Sequence, residues 1–420
     1  MYQKTTLDNG LRVVTMNMPH TCSVAISVFV GTGSRYEADA QAGISHFIEH
    51  MCFRGTAKRP TAREISMAIE GVGGILNGAT DKELSVYWCK VARPHFTIAL
   101  DVLTDILTNP RFDPADIEKE CQIIIEEINM SLDSPPQRAA ELIDELLWPG
   151  HPLGRDTAGT KESVAATTRD NLIRYRSSHY HPANTVIAIA GDIQHEDIVE
   201  TVSQFTAGWG NQAPRPEFMP YREQPGQRVR IETRDMEQAQ ICLALPGLPL
   251  LHPQRYTLDL LNVILGEGMS SRLFAEIRDR LGLAYSIQSY VDHFLDTGSL
   301  IIAAGVEPEN LKTAVTAILE ELAKLKERIP EAELSRAKEL SKGRLLLRME
   351  DSRNVSGWMG SQEILTGRIL SPDQTIAIID AITAEECQQL ANELLSEAPL
   401  RLAVVGPIPK DEPLGELLNL

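Results

Sequence analysis

A chain of 420 residues is long for one hydrophobic core and is expected to fold as two domains. Hydrophobic residues at 43% and charged residues at 23% are ordinary for a soluble globular protein, and no apolar run approaches the length of a membrane span. The formal net charge of −18 argues against nucleic acid as the main partner; it suits basic or neutral substrates if acidic groups line a cavity.

Residues 1–10 lack the apolar core of a secretory signal and are not rich in Arg and Ser, so a soluble cytoplasmic protein is expected. Asn9-Gly10, between Leu7 and the run Leu11–Val14, predicts a hairpin turn. Six cysteines (Cys22, Cys52, Cys89, Cys121, Cys242 and Cys387) form no C-x-x-C pair, which predicts free thiols in a reducing compartment. Ser23–Gly31 reads as a strand ending in glycine.

Ile44, Phe47, Ile48 and Met51 recur at i, i+3, i+4 and i+7 and predict a helix with one buried stripe. Gly55 is expected to end it as a C′ glycine. The other side of this helix carries His46, Glu49 and His50. Residues four apart share a helix face, so both imidazoles can reach one ion, with the Glu49 carboxylate beside them. Ten histidines in the chain give about 0.02 chance matches to H-x-x-E-H, so the motif stands above noise. It reverses the H-E-x-x-H order of zinc proteases. A catalytic zinc needs three protein ligands and an open position for water, and the histidines supply two.

Further along, Gly73–Thr80 predicts a turn before a strand. No Gly-Lys-Ser/Thr follows, so it is not a phosphate loop. Asp113 and Pro114 read as the N-cap and first residue of a second helix, with Asp116 two residues on, running through Ile128. Glu120 and Glu127 lie seven residues apart and share a face with Ile123 and Ile124; carboxylates on an apolar face need a cation or hydrogen-bond partners. Glu126 points about 100° away and reads as solvated. Glu127 is therefore the candidate third ligand, and Glu120 a group that orients a ligand.

The two halves also match at a nearly fixed offset. Ser23–Gly31 pairs with Gln238–Gly247, and Val186–Gly191 with Leu402–Gly406, which argues for duplication. The expected fold is α+β: two similar domains, residues 1–210 and 227–420, each a mainly antiparallel sheet backed by helices. Residues 211–226, with Pro214, Pro216, Pro220 and Pro225, form the expected linker. Moving the motif by 216 lands on Asn262, Leu265 and Gly266, so the second half carries no equivalent ligands.

With these residues in view, the chain resembles the pitrilysin/insulinase family of metallopeptidases, M16. That family has H-x-x-E-H followed by a glutamate ligand about 75 residues on, with another glutamate seven residues before it. Here Glu127 follows His50 by 77 residues (127 − 50), and Glu120 holds the earlier position. The resemblance spans roughly residues 4 to 408. It implies that Asn77, Gly78, Ala79 and Thr80 form a substrate-binding edge strand, where Gly78 stands in place of the commoner alanine. It implies that Arg278 and Tyr285, seven residues apart, bind substrate close to the scissile bond; a guanidinium and a phenol suit a carbonyl that develops negative charge. Arg272 and Arg280 compete for that role but have the wrong spacing to Tyr285.

The implied activity is zinc-dependent endopeptidase chemistry, with one Zn²⁺ per chain held by His46, His50 and Glu127, and Glu49 as general base. Members of this size form half of a clamshell, which implies a homodimer enclosing a chamber for peptide substrates. Rival readings are a specific presequence-processing peptidase and a non-catalytic structural subunit of the same family.

Overall fold

The structure is a computed structural model and describes residues 2–210, 216–397 and 399–418. Residues 211–215 of the expected linker lie outside the described residues. In chain order the first half gives β1 (Gln3–Thr6), β2 (Arg12–Asn17), β3 (Ser23–Val30), α1 (Ile44–Cys52), α2 (Ala62–Glu70), β4 (Ile75–Thr80), β5 (Ser85–Ala92), α3 (Phe96–Thr108), α4 (Pro114–Asp133), α5 (Pro135–Leu147), α6 (Lys161–Ala165), α7 (Arg169–His179), β6 (Thr185–Gly191) and α8 (His195–Thr206). The second half gives β7 (Val229–Thr233), β8 (Ala239–Pro246), α9 (Arg255–Gly266), β9 (Ala284–His293), β10 (Gly298–Val306), α10 (Leu311–Lys324), α11 (Glu331–Arg348), α12 (Ser352–Thr366), α13 (Pro372–Ala381), α14 (Ala384–Glu397) and β11 (Arg401–Gly406).

The Asn9-Gly10 turn closes the expected hairpin. Gly10 takes a φ of 87°, Leu7 N–H donates to Leu11 O at 2.8 Å, and β1 pairs antiparallel with β2. The strands build two sheets. One runs β1-β2-β6-β3-β5-β4, the other β7-β11-β8-β10-β9. Apart from β1 their topologies are the same: one parallel pair (β2 with β6, β7 with β11), then antiparallel neighbours out to an edge strand, β4 or β9. This repeated order is the duplication legible in the sequence.

The chain folds into two compact units, but they are not contiguous in sequence. The first contains residues 1–128, 156–219 and 346–371; the second contains 129–155, 220–345 and 372–420. Expected domains 1–210 and 227–420 thus each give up a helix-bearing segment to the other. The exchange has a packing reason. In the first unit α12 lies on β3, β6 and β2, where a Cβ on Gly360 would stand 2.2 Å from Phe29 Cε2, so only glycine lets the helix come this close. Ser27 and Ser356 hydroxyls meet at 2.8 Å, and Arg12 donates to the Glu363 carboxylate at 3.2 Å and its carbonyl at 3.1 Å. In the second unit α5 covers β8 and β11, packing Leu142, Ile143 and Leu146 on Cys242, Ala244, Ala403 and Val405. An amphipathic stripe states that a helix must be covered, not which sheet covers it. No described helix is long and apolar enough to cross a membrane, and all six cysteines are free.

Candidate active site

Helix α1 begins without a capping side chain of its own. Its N-cap, Gly43, has φ 89°, and a Cβ there would lie 2.2 Å from the Ala158 carbonyl oxygen. Serine or aspartate therefore cannot occupy the position. The buried Glu37 carboxylate supplies the cap from outside, accepting from Gly43 N–H at 2.7 Å and Ser45 N–H at 2.8 Å. A carboxylate at a helix N-terminus is also favoured by the helix dipole. The Ser45 hydroxyl lies 2.9 Å from the Tyr175 hydroxyl, which in turn lies 2.9 Å from Thr32 Oγ1. Glu37→Ala is expected to cost about 2–4 kcal/mol, since it strands two buried N–H groups. A lower urea midpoint would record this, with Glu37→Gln recovering part because its amide oxygen still accepts.

The expected buried stripe forms: Ile44, Phe47, Ile48 and Met51 are at most 1% exposed. Gly55 departs from expectation. The helix ends at Cys52, with Phe53 as its C-cap, and Gly55 (φ 152°) instead admits the Pro60 carbonyl, 2.4 Å from where its Cβ would be. A steric demand, not helix termination, selects this glycine.

Helix α4 starts as predicted, with Asp113 Oδ1 accepting from Ala115 N–H at 3.0 Å. It runs through Ile128, as expected, and on to Asp133. Its buried stripe is Ile117, Glu120, Ile124 and Ile128; Ile123, expected on that face, is 39% exposed. A helix has 3.6 residues per turn, so Ile123 falls on the flank that Ile124 leaves to solvent.

The three predicted ligands converge. His46 Nε2 lies 3.2 Å from His50 Nε2, and Glu127 Oε2 lies 3.7 Å from the first and 3.5 Å from the second. Ligand atoms about 2.0–2.2 Å from a tetrahedral zinc are roughly 3.3–3.6 Å apart, so this triangle fits the ion. Glu49 joins the same cluster: ligand atoms of His46, Glu49 and His50 lie within 4.8 Å of one another. Burial, assisted by the neighbouring His50, lowers the His46 pKa to about 4, which keeps its imidazole in the neutral form that binds metal.

Glu120 is 1% exposed and holds His50 Nδ1 at 2.8 Å. Its other oxygen pairs with Arg54. The bond at Nδ1 fixes the His50 tautomer and turns Nε2 toward His46 and Glu127. Arg54 balances a charge that burial would otherwise make costly. Sequence reasoning found Glu120 but missed Arg54 and Glu37. An acid upstream of a helix that starts at Gly-Ile, with no Ser, Thr, Asp or Asn to cap it, was the available signal for Glu37.

Glu49 faces β4. A Cβ on Gly78 would lie 2.7 Å from Glu49 Oε1 and 2.9 Å from Phe53 Cε2. Gly78 thus leaves room for the carboxylate. Burial raises the Glu49 pKa, His50 opposes this, and Glu127 adds to it. A carboxylate raised in this way is a stronger base. Strand β4 is the sheet edge: Asn77–Thr80 pair with Ser85–Trp88 on one side only, and Ile75, Asn77 and Ala79 are exposed. Gly78→Val would press on Glu49 and is expected to reduce kcat about 10–100-fold at unchanged zinc content, as small displacements of a catalytic group do. Metal analysis beside steady-state kinetics checks both halves of that statement.

In the second unit α9 follows β8 as α1 follows β3, and among the described residues it carries no metal-ligating cluster. Asn262, at the position of His46, accepts from Ser289 Oγ at 2.6 Å; a Cβ on Gly266, at the position of His50, would lie 2.5 Å from the same oxygen. The helix lies directly on β9. The predicted Arg278 and Tyr285 come together, with the guanidinium carbon 5.4 Å from the Tyr285 ring centre. Arg278 lies on a π-helix, Phe274–Arg280, a geometry the sequence did not reveal and one frequent at functional sites. Gly282, at φ 64°, turns the chain into β9. The competing arginines are engaged elsewhere, Arg272 with Glu333 at 2.6 Å and Arg280 with Glu276.

Comparisons with known proteins bear on the family and the fold. Residues 12–161 match the model described as insulinase (peptidase family M16), and residues 166–341 the model described as the peptidase M16 inactive domain. A Bacillus subtilis protein named an uncharacterized zinc protease, YmxG, is 36% identical over 412 residues, 97% of this chain and 98% of its own. A similarly named protein of Mycobacterium leprae is 36% identical over 99% of this chain and 94% of its own. A crystal structure of a protease from Helicobacter pylori superposes with a TM-score of 0.91 at 22% identity, covering 97% of this chain and 99% of that one.

Proposed function

Because the chain belongs to the insulinase family of peptidases, family M16, we propose that it is a zinc-dependent endopeptidase acting on peptides or unfolded segments. The observation that carries this reading is the His46–His50–Glu127 triangle with Glu49 beside it and an open sheet edge alongside.

His46, His50 and Glu127 would hold one Zn²⁺ per chain, which when bound supplies a Lewis acid and lowers the pKa of water to about 7. The peptide lies along β4, whose free backbone groups align it as an added strand and tolerate varied side chains. Glu49 accepts the proton of the attacking water and later delivers it to the leaving amine. Arg278 and Tyr285 donate to the carbonyl oxygen as negative charge develops there.

In this reading the working unit is a homodimer enclosing a chamber, and Arg278 and Tyr285 serve the metal site of the second copy. Glu49→Gln chains and Arg278→Ala/Tyr285→Phe chains should each, alone, cleave peptides far more slowly than the wild type. Mixed dimers should regain part of the activity, because one of their two sites would be complete. Verified mixed dimers without any recovery would contradict the shared site.

A further inference from the structure

Beside the edge strand β9 lies a cavity of about 260 Å³. Arg278, Gln240, Ser286 and Gln288 supply its polar lining, while Ala303 and Ala304 are among its small apolar walls. Among the described residues no carboxylate lines it, although the chain carries 58 Asp and Glu residues and a net charge of −18. The Arg278 guanidinium is steadied by two rings, 4.7 Å from the centre of Phe274 and 5.4 Å from that of Tyr285. Ring faces hold a guanidinium by cation–π attraction and leave its in-plane N–H groups free. Arg272 and Arg280 on either side are already neutralised by Glu333 and Glu276.

We propose that this cavity binds a carboxylate of the peptide substrate, either an acidic side chain or the chain's own C-terminus. The proposal rests on the peptidase reading and deepens the role of Arg278 from a donor to the reacting carbonyl to a selector of substrates. A planar guanidinium matches a carboxylate with two parallel N–H donors, and the side chains of Gln240, Gln288 and Ser286 add neutral donors. The volume is below the roughly 300–1,000 Å³ of pockets that take a whole small ligand, and suits one side chain or one chain end. A chain this acidic repels acidic peptides at long range, so accepting one requires an uncompensated cation of this kind at the point of contact.

The test uses the full chain carrying Glu49→Gln, so that bound peptide survives, and calorimetric titration with a short unlabelled peptide free of other acids. The peptide is made in four forms: free C-terminus, amidated, amidated with one internal Glu, and amidated with Gln at that place. At least one carboxylate form should bind about tenfold or more tightly than its neutral counterpart, as hydrogen bonds to charged groups do. Arg278→Gln should abolish that difference, whatever it does to the affinity shared by all four forms. A gain confined to the free terminus identifies the chain end, and one confined to Glu identifies the side chain; either supports the proposal. Equal affinity for all four forms, or a gain that survives Arg278→Gln, overturns it and leaves the peptidase reading intact. Absence of binding by every form, with no cleavage by the wild type, overturns both.

Discussion

Glu49→Gln is expected to lower kcat/KM for peptide hydrolysis by about 10²–10⁴-fold without lowering the zinc content of the chain. The substitution keeps shape and volume beside Gly78 and Phe53, but a carboxamide cannot accept the proton of the attacking water. His46, His50 and Glu127 already supply three ligand atoms without Glu49, so the metal should stay bound. Its carboxyl is raised mainly by burial, which makes it the better base in place. Kinetics and metal analysis on one preparation separate the outcomes. Undiminished hydrolysis would remove Glu49 from the proton transfer, and loss of zinc would make it a ligand instead.

Glu127→Ala should abolish hydrolysis through loss of the metal, whereas Glu120→Ala should only weaken metal binding. Glu127 provides one vertex of the triangle, and two imidazoles alone leave zinc without its third protein ligand. Glu120 is not a vertex; it holds His50 Nδ1 and pairs with Arg54. Removing such a partner typically costs 10–100-fold in metal affinity. Excess zinc should therefore restore most activity to Glu120→Ala and little to Glu127→Ala. Competition against a chromophoric chelator gives the affinities. Equal behaviour of the two variants would contradict the separation of roles.

Much of this site is legible in the sequence. His46, Glu49 and His50 were fixed by helical spacing, because four residues make about one turn and the apolar stripe states which side is buried. Glu120 and Glu127 followed from the same argument, although the prediction placed Ile123 on the wrong flank. Long-range contacts were harder to read. Glu37 caps α1 across a loop, and Arg54 reaches Glu120 on another helix; neither follows a period of two or 3.6. Duplication was visible in the glycine-ended strands, yet the exchange of α5 and α12 was not, since an apolar face does not name its partner. Gly78 and Gly55 had meanings set by atoms distant in sequence, the Glu49 carboxylate and the Pro60 carbonyl. The π-turn that presents Arg278 carries no compositional signal.

The central claim is that one zinc per chain, held by His46, His50 and Glu127, supports peptide cleavage. Stripping the wild-type chain with a chelator and titrating zinc back while following hydrolysis of a mixed peptide digest tests it directly. The account predicts no cleavage without metal and a linear rise that breaks at one zinc per chain. Cleavage that persists in the stripped chain, or one tightly bound zinc per chain with no peptide cleaved, would contradict it.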